Sequence, residues 1–374
     1  MVFREEVMHL FFHCEESYSL FSGDFSRGRF GGAGLQMYLL SLELAKDDSY
    51  KVYWIFENHP VDKLVYPKIE FRNPISPISR GIPGISRTIN KQRIKMTYAC
   101  EGIPILMSTM AHKAVRLRET TVTVAGKSVY RCASDADVTQ PFGLSDAGSA
   151  EAIAAIVASD AVTVQNDFQK NTLLNVYGKE SHIVPNGISL PAQPHTGQRD
   201  IILWVASALD VKQPWYFVDL AKRFPENKFV MLMPCQQKLI WEFVHRISKD
   251  VENLVLIGEQ IPFEQTKSLF QQAKIFINTS FVEGFPNTFL QAAAYGAPII
   301  SLSVNPDNVL EHYGFGLCAD GDFTEMYEQT RELLSDVNMM NTMRASGLVY
   351  SREKGDIRKS AIELKKILVS INEI

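Results

Sequence analysis

A carboxylate stands just before a predicted helix in the second half of this chain. Residues 278–310 read as a strand, a loop, a helix and a second strand, with Glu283 in the loop. The helix is predicted to open at Asn287 and Thr288 and to stop at Gly296. The first backbone N–H groups of a helix lack partners inside it, and the helix dipole adds positive charge there. The pattern therefore predicts a site for a phosphate or diphosphate, beside a carboxylate suited to sugar hydroxyls.

The loop at 283–285 reads Glu-Gly-Phe, and Gln291 follows eight positions after its Glu. This segment resembles the carboxylate motif of retaining glycosyltransferases of family 4, in which the second position is also Glu. The resemblance implies that Glu283 approaches the donor sugar and that position 291 holds the ribose. Gln291 keeps an acceptor oxygen and gains donors, so it would still bond ribose hydroxyls without charge. An ordinary strand-to-helix turn is the alternative. The donor-binding residues implied in the loop and first turn are Gly284, Phe285, Pro286, Asn287 and Thr288, and all but Pro286 carry a backbone N–H that could meet the diphosphate.

A second segment, 201–214, resembles the opening strand and loop of the family's nucleotide-binding domain. Lys212 matches a lysine that the family uses to grip the diphosphate, while Ala206 and Ser207 stand where Gly and Arg are expected. Ser207 is therefore placed among the donor-binding residues, but without the charge. A charge-assisted contact is worth roughly 1.5–3 kcal/mol, so losing one would cost about tenfold or more in binding or rate. For Lys212, the alternative is a solvated loop lysine.

The first half of the chain carries a glycine-rich turn between a predicted strand and a predicted helix. Gly31, Gly32 and Ala33 follow an apolar run at 7–13 and precede apolar positions at helical spacing. In the family, such a turn closes over the donor phosphate, because only small residues let the backbone approach so closely. The resemblance implies the same donor-binding role here. A plain strand-to-helix connection is the alternative.

Acidic residues of the first half give further candidates for the acceptor side. Ser134, Asp135 and Asp137 follow a probable strand, in a string similar to those of bacterial family members. The two aspartates would also suit a metal ion, but this fold class uses basic residues and a helix end for the diphosphate, so no metal is predicted. Many family members carry a His facing the donor sugar, and Glu101 is a weak substitute candidate near its expected position. His13 and His112 are interpreted as structural.

The length of the chain favours two α/β domains rather than one. The 374 residues are 46% hydrophobic and 21% charged, with a net charge of −4, which gives no nucleic-acid footprint. Five scattered cysteines favour free thiols in a reducing cytoplasm. The first residues lack a signal-peptide pattern, and no apolar run is long enough for a membrane helix.

The resemblance implies a GT-B fold, with two Rossmann-like α/β/α domains facing across a cleft. We predict domains at 1–191 and 192–355, with a closing helix at 356–374 that returns to the first domain.

Basic residues are concentrated between positions 80 and 118, where Glu101 is the single acidic residue. Such clusters attract anionic lipid headgroups or a diphosphate-linked carrier at a membrane surface. A solvated basic helix face is the alternative. The stretch contributes to a predicted peripheral contact with the inner face of an anionic membrane. Its basic residues are Arg80, Arg87, Lys91, Arg93, Lys95, Lys113, Arg116 and Arg118.

The resemblance implies a metal-independent, retaining glycosyltransferase without a cofactor, with Glu283 and Lys212 as its catalytic residues. Its donor would be a nucleotide-diphosphate sugar, and its acceptor a polysaccharide or lipid-linked glycan of the cell surface. Ser207 and Gln291 leave a second hypothesis open, namely a glycosyltransferase-like binding or partner protein that has lost turnover. A third is another GT-B enzyme, such as a nucleotide-sugar epimerase or a phosphorylase. The donor base, the sugars, the linkage and the oligomeric state do not follow from the sequence.

Overall fold

A computed structural model describes residues 7–25, 30–73, 83–141, 143–193 and 195–373, with the backbone alone at 83–89. The chain divides into two compact units. Unit 1 consists of Met1–Asn186 together with Ile357–Ile374, and unit 2 is the continuous segment Gly187–Asp356. The sequence placed the division at residue 191, within the polar stretch that follows Asn186.

Unit 1 is built on a parallel sheet, in which the described residues form seven strands in the order β3-β2-β1-β4-β5-β6-β7. Helices cover a parallel sheet on both faces, so its central strands are buried along their length rather than at alternate residues. The four central residues of β1 and all six of β4 are accordingly buried. The strands are β1 (Met8–His13), β2 (Tyr50–Ile55), β3 (Ile69–Arg72), β4 (Pro104–Thr109), β5 (Lys127–Arg131), β6 (Ala161–Val164) and β7 (His182–Ile183).

The helices of unit 1 connect these strands in the right order for a doubly wound domain. Short 3-10 turns precede three of them, at Glu15–Ser17, Ala111–Lys113 and Asp135–Val138. The helices are α1 (Tyr18–Ser22), α2 (Gly32–Leu44), α3 (Pro83–Thr97), α4 (Ala114–Val124), α5 (Asp146–Val157) and α6 (Asp167–Tyr177).

Unit 2 repeats the plan with a parallel sheet in the order β10-β9-β8-β11-β12-β13, counted over the described residues. The order runs outward from β8 and β11, so the connections of these two neighbours leave in opposite directions. Its strands are β8 (Ile201–Val205), β9 (Lys228–Leu232), β10 (Leu254–Ile257), β11 (Ala273–Asn278), β12 (Ile299–Ser301) and β13 (Gly316–Cys318). Its helices are α7 (Trp215–Arg223), α8 (Lys238–Ser248), α9 (Phe263–Gln272), α10 (Asn287–Ala294), α11 (Val309–His312), α12 (Phe323–Ser335) and α13 (Val337–Lys354).

The last helix, α14 (Ile357–Asn372), belongs to unit 1. Its apolar side chains recur at helical spacing, and those of Leu364 and Leu368 are buried. The helix packs on α2. Lys365 also donates a hydrogen bond to Asp47 at 2.6 Å, and this contact lowers the pKa of the Asp47 carboxyl to about 2.

The predicted α/β class is confirmed, with parallel sheets flanked by helices in both units. Of the helices within the described ranges, none combines the length and apolar character that a bilayer crossing requires. The five cysteines are all free.

His13 ends β1 and makes the stability of the protein depend on pH. Its ring stacks on Tyr98 with 5.4 Å between centroids, and its Nε2 hydrogen bonds to the Tyr98 hydroxyl. Burial lowers the pKa of His13 to about 3, and the positive charges of Arg116 and Lys113 act in the same direction. The folded protein therefore resists protonation at this ring, whereas the unfolded chain takes up the proton near its ordinary pKa of about 6.5.

We expect the free energy of unfolding to fall as the pH decreases from 6.5 toward 4. Over that interval the unfolded state binds one more proton at His13, which costs about 1.4 kcal/mol per pH unit. Urea unfolding of the wild type and of His13→Gln at several pH values measures the difference in slope. The lowered pKa values of His9 and His112 add to the slope of both proteins equally. Parallel pH profiles for the two proteins would contradict the assignment.

Candidate functional site

The predicted lysine lies on a short loop that follows β8 in unit 2. The loop closes in a 3-10 turn at Asp210–Lys212, and Gln213 then adopts a left-handed conformation with φ of 46°. The N–H of Asp210 donates to the side-chain oxygen of Gln237 at 3.0 Å, which fastens the start of the turn to the loop after β9. The turn thus presents Lys212 at the carboxyl end of the sheet.

Glu283 lies on the neighbouring loop, which follows β11, and forms an ion pair with Lys212. The Lys212 ammonium contacts Oε1 of Glu283, and the Ser280 hydroxyl donates to the same oxygen at 2.8 Å. The two side chains of the pair are 17% and 21% exposed, so each remains accessible to a ligand. The structure therefore brings together the two residues that were predicted to be catalytic.

The helix that follows Glu283 begins where the sequence predicted it. Helix α10 starts at Asn287, and Pro286 at its N-cap offers no side-chain acceptor to the first turn. No acidic residue lies in that first turn either. The positive end of the helix dipole consequently faces the loop of Gly284 and Phe285 without a side-chain carboxylate of the helix to offset it.

Gln291 lies one turn into α10 and is only 6% exposed. Its Nε2 is 3.4 Å from the hydroxyl oxygen of Thr266 on α9, which itself donates to the carbonyl of Phe263 at 2.6 Å. Thr266 therefore acts as the acceptor of the Gln291 amide. The side chain predicted to hold a ribose is thus packed between two helices of unit 2.

Ser207 lies in the loop between β8 and the Lys212 turn. Its carbonyl accepts a hydrogen bond from the N–H of Leu209 at 2.8 Å, and its side chain is partly exposed. Ser207 therefore shares a loop with Lys212, as predicted, and supplies a hydroxyl where the family pattern has a guanidinium.

The glycine-rich turn of unit 1 packs against a residue that sequence reasoning missed. Gly31 immediately precedes α2, where a Cβ atom at this position would lie 2.8 Å from Oε2 of Glu16. A Cβ at Gly34 would lie 3.2 Å from the Cβ of Glu16 and 3.3 Å from the Ser17 hydroxyl. That hydroxyl also donates to the carbonyl of Gly34 at 2.9 Å. A side chain at Gly34 would therefore press on the 3-10 turn of Glu15–Ser17, whereas one at Gly31 would displace only the end of the Glu16 side chain.

Glu16 also brings a negative charge to the start of α2. Its carboxylate accepts a hydrogen bond from the N–H of Gly31, while burial raises its pKa. A donor phosphate at Gly31, Gly32 and Ala33 would have to share this end of the helix with the carboxylate or displace it. The only sequence signal was an acidic pair directly after a buried strand.

Asp137 of unit 1 has a set of contacts that explains its position without a ligand. It is 7% exposed and accepts hydrogen bonds from the N–H of Ala133 at 2.7 Å and from the Tyr130 hydroxyl at 3.3 Å. Burial raises the pKa of its carboxyl to about 6. Asp137 thus ties the 3-10 turn to the end of β5.

Ser134 and Asp135 also bond within unit 1. The Ser134 hydroxyl caps the turn by accepting from the N–H of Ala136 at 3.3 Å. One oxygen of Asp135 accepts from the side-chain amides of Asn166 and Gln169, each at 2.9 Å. These contacts join the ends of β5 and β6, so the predicted acceptor role of the two residues remains a prediction.

Glu101 is not brought together with these residues. It lies just before β4 begins, whereas Ser134 and Asp135 follow the end of β5. The two strands are parallel neighbours, so Glu101 lies at the opposite edge of the sheet. Among the described residues, no group of three or more His, Cys, Asp or Glu side chains is placed to hold a metal ion.

The basic stretch does not form one continuous helix face. Lys91, Arg93 and Lys95 lie on α3, whereas Arg116 and Arg118 lie on α4, a second helix that contacts α3. Arg116 of α4 forms an ion pair with Glu57. Arg80 and the side chain of Arg87 lie outside the described residues. Contact of this stretch with a membrane stays a prediction.

Comparison with known proteins finds a family match within unit 2. Residues 199–336 match the family described as Glycosyl transferases group 1. This segment contains both Lys212 and Glu283. Among curated proteins, no sequence matches the chain significantly.

Solved structures show the fold of the whole chain. Sucrose-phosphate synthase from Thermosynechococcus elongatus is 14% identical and aligns over 97% of this chain and 99% of its own, with a TM-score of 0.76. HepE from Anabaena, in complex with UDP and glucose, is 12% identical over 97% and 100% of the two chains, with a TM-score of 0.74. WaaG, a glycosyltransferase involved in lipopolysaccharide biosynthesis, is 13% identical over 96% and 99%, with a TM-score of 0.69. The chain therefore has the GT-B fold of these structures, and its residues 199–336 match the glycosyl transferases group 1 family.

Proposed function

We propose that this protein is a retaining glycosyltransferase of family 4. It transfers a sugar from a nucleotide-diphosphate donor to a polysaccharide or lipid-linked glycan in the biosynthesis of cell-surface polysaccharide. The observation that carries the proposal is the ion pair of Lys212 and Glu283, which lies on neighbouring loops before the start of α10. The donor site needs no metal ion in this proposal, because Lys212 and the helix end supply positive charge.

The role of Lys212 follows from the charge that develops during transfer. Cleavage of the bond to the sugar leaves negative charge on the diphosphate, and a fixed cation near that charge stabilises the transition state. In the structure the ammonium of Lys212 is already desolvated in part and held by Glu283. A diphosphate bound beside it would compete with the carboxylate for the same ammonium hydrogens.

Glu283 has two roles in this proposal. Its carboxylate neutralises Lys212 before the donor binds, and it accepts hydrogen bonds from the donor sugar afterwards. Ser280 holds one of its oxygens at 2.8 Å, which leaves the other oxygen to bond a sugar hydroxyl. The first turn of α10 adds partial positive charge next to the same position.

The structures of HepE support UDP as the first nucleotide to test. HepE has been solved with UDP, with UDP and glucose, and with UDP-glucose. The role of WaaG in lipopolysaccharide biosynthesis is the basis for placing this protein in cell-surface glycan synthesis. A membrane-linked acceptor would bring the protein to the inner face of a membrane, and the basic residues from Arg80 to Arg118 are the predicted contact.

The second candidate is a binding or partner protein without turnover. Ser207 offers no charge to the diphosphate, and Gln291 is buried against Thr266. Both features weaken donor binding relative to the family pattern. The two candidates differ in one observable, because the second predicts no transfer even when a nucleotide binds.

We expect UDP, or another nucleotide diphosphate, to raise the melting temperature of the wild type, since a ligand of the folded state stabilises it. Lys212→Ala and Glu283→Ala should each lower transfer by about 10²–10³-fold, as loss of one transition-state contact typically does. Transfer from radiolabelled nucleotide sugars to glycan acceptors measures the loss. The anomeric configuration of the product, read by NMR, tests retention.

Lys222→Ala is the matched control for these variants. It removes another lysine of unit 2, paired with Asp219 at 3.3 Å on the exposed side of α7. This variant should keep the wild-type rate. Near-normal transfer by Lys212→Ala or Glu283→Ala would refute the site, and a melting shift without transfer by the wild type would favour the binding protein.

Gln291→Glu is expected to separate stability from donor affinity. A carboxylate at this buried position loses the hydrogen bond to Thr266 and faces the lone pairs of that hydroxyl, so we expect a loss of roughly 1–3 kcal/mol in unfolding free energy. If position 291 meets the ribose, the variant should keep or improve nucleotide affinity despite this loss. Urea unfolding and calorimetric titration with UDP measure the two quantities. A parallel loss of stability and affinity would remove Gln291 from the ribose site.

A further inference from the structure

We propose that Thr279, with Trp204 behind it, positions Lys212 for transfer. The proposal rests on the proposed function, because it assigns a task to Lys212 in the same reaction. Thr279 and Trp204 are positioning residues, which act on the donor only through the lysine.

Two hydrogen bonds meet at one buried hydroxyl, that of Thr279. Thr279 follows the end of β11 and has no exposed surface. Its Oγ1 lies 2.8 Å from Nε1 of Trp204 on β8 and 2.7 Å from the carbonyl oxygen of Lys212. A single side chain therefore connects the two central strands of unit 2 to the backbone of the lysine.

The chemistry of the three groups fixes the direction of both bonds. An indole N–H only donates and a carbonyl oxygen only accepts, while a hydroxyl does each once in this arrangement. Trp204 therefore donates to Thr279, and the single proton of the Thr279 hydroxyl goes to Lys212. No other orientation satisfies all three groups, so the hydroxyl has one fixed direction.

The two residues after Thr279 extend the same connection. Ser280 donates to the carboxylate of Glu283, which is the partner of Lys212. The N–H of Phe281 donates to the carbonyl of Val211 at 2.8 Å, within the lysine turn. Three consecutive residues thus hold both members of the ion pair, and Thr279 is the one whose side chain reaches Lys212 itself.

The hydrogen bonds within the lysine turn are local, so its orientation depends on attachments to other loops, of which Thr279 supplies the one at Lys212. The N–H of Lys212 donates to the carbonyl of Leu209 at 3.0 Å, and that of Gln213 to Asp210 at 2.9 Å. These bonds close the turn but do not orient it on the sheet. Gln213 also has a positive φ, which is a strained conformation for a residue with a side chain and is kept only where surrounding contacts impose it.

A purely structural role predicts a different outcome. If Thr279 merely provides an acceptor for the buried Trp204, its loss lowers stability and affects transfer no more than any comparable buried change. If it positions Lys212, its loss lowers transfer only while Lys212 is present. A double-mutant cycle separates these cases, because residues that act through one another are not additive.

The experiment compares Thr279→Val with Thr279→Ser, alone and in the Lys212→Ala background, well below the melting temperatures. Thr279→Val keeps the shape and removes both hydrogen bonds. We expect at least a tenfold lower kcat and weaker nucleotide affinity, with the KM for acceptor unchanged. Thr279→Ser should stay within threefold of the wild type. In the Lys212→Ala background, Thr279→Val should cause no further loss.

Thr330→Val is the control for a buried hydroxyl. Thr330 has no exposed surface and donates to the carbonyl of Met326 at 2.7 Å on α12 of the same unit. This variant should be destabilised without a comparable loss of kcat. Equal losses for the two valine variants, or an additive loss in the Lys212→Ala background, would overturn the proposal.

The outcome for Lys212→Ala alone distinguishes failure of the proposed function from failure of the positioning role of Thr279. If that variant keeps normal transfer and nucleotide affinity, the proposed function of Lys212 fails, and the role of Thr279 fails with it. If Lys212→Ala loses transfer while Thr279→Val keeps it, only the positioning role fails. In a protein without turnover, the same cycle in nucleotide affinity gives the answer.

Discussion

The pairing of β8 with β11 is the constraint on which the site in unit 2 depends. These strands are the neighbours at which the sheet order changes direction. Loops that leave such a point diverge and open a crevice at the carboxyl ends of the strands, where ligands bind in this class of fold. Lys212 follows one of the two strands and Glu283 the other, so their ion pair forms across the crevice itself. The order of the strands therefore makes these two loops neighbours, and the side chains of Lys212 and Glu283 supply the charges of the proposed site.

The stretch around Glu283 was predictable because its structure is determined locally. A buried strand, a turn at Gly284 and a helix after Pro286 are specified by residues close together in the sequence, and the helix begins at the predicted residue. The expectation of two α/β domains came from the length of the chain, and their Rossmann-like form was implied by the family resemblance. Parallel pairing of strands far apart in the sequence is not readable locally, yet a doubly wound fold imposes it.

Contacts between distant segments were not predictable from a single sequence. Gln291 has the right spacing for a ribose ligand, but its burial depends on Thr266 of another helix. Gly31 suggested close approach of a phosphate, whereas the atom that approaches it belongs to Glu16. In each case the sequence suggested contact with a ligand, and the contact seen in the structure is with a protein segment that no spacing rule identifies. Glu101 was a candidate because of its charge, but the sequence did not show that it lies at the opposite edge of the sheet from Ser134 and Asp135.

The packing of α14 on α2 has a consequence for the order of folding during synthesis. Unit 2 is one continuous segment and can complete its sheet as soon as it leaves the ribosome. Unit 1 starts earlier, but the surface of α2 that contacts α14 stays uncovered until α14 has been made. Nascent unit 1 therefore exposes an apolar helix surface throughout the translation of unit 2. The first unit to be started is the last to be finished, and chaperone binding is expected to concentrate on that surface.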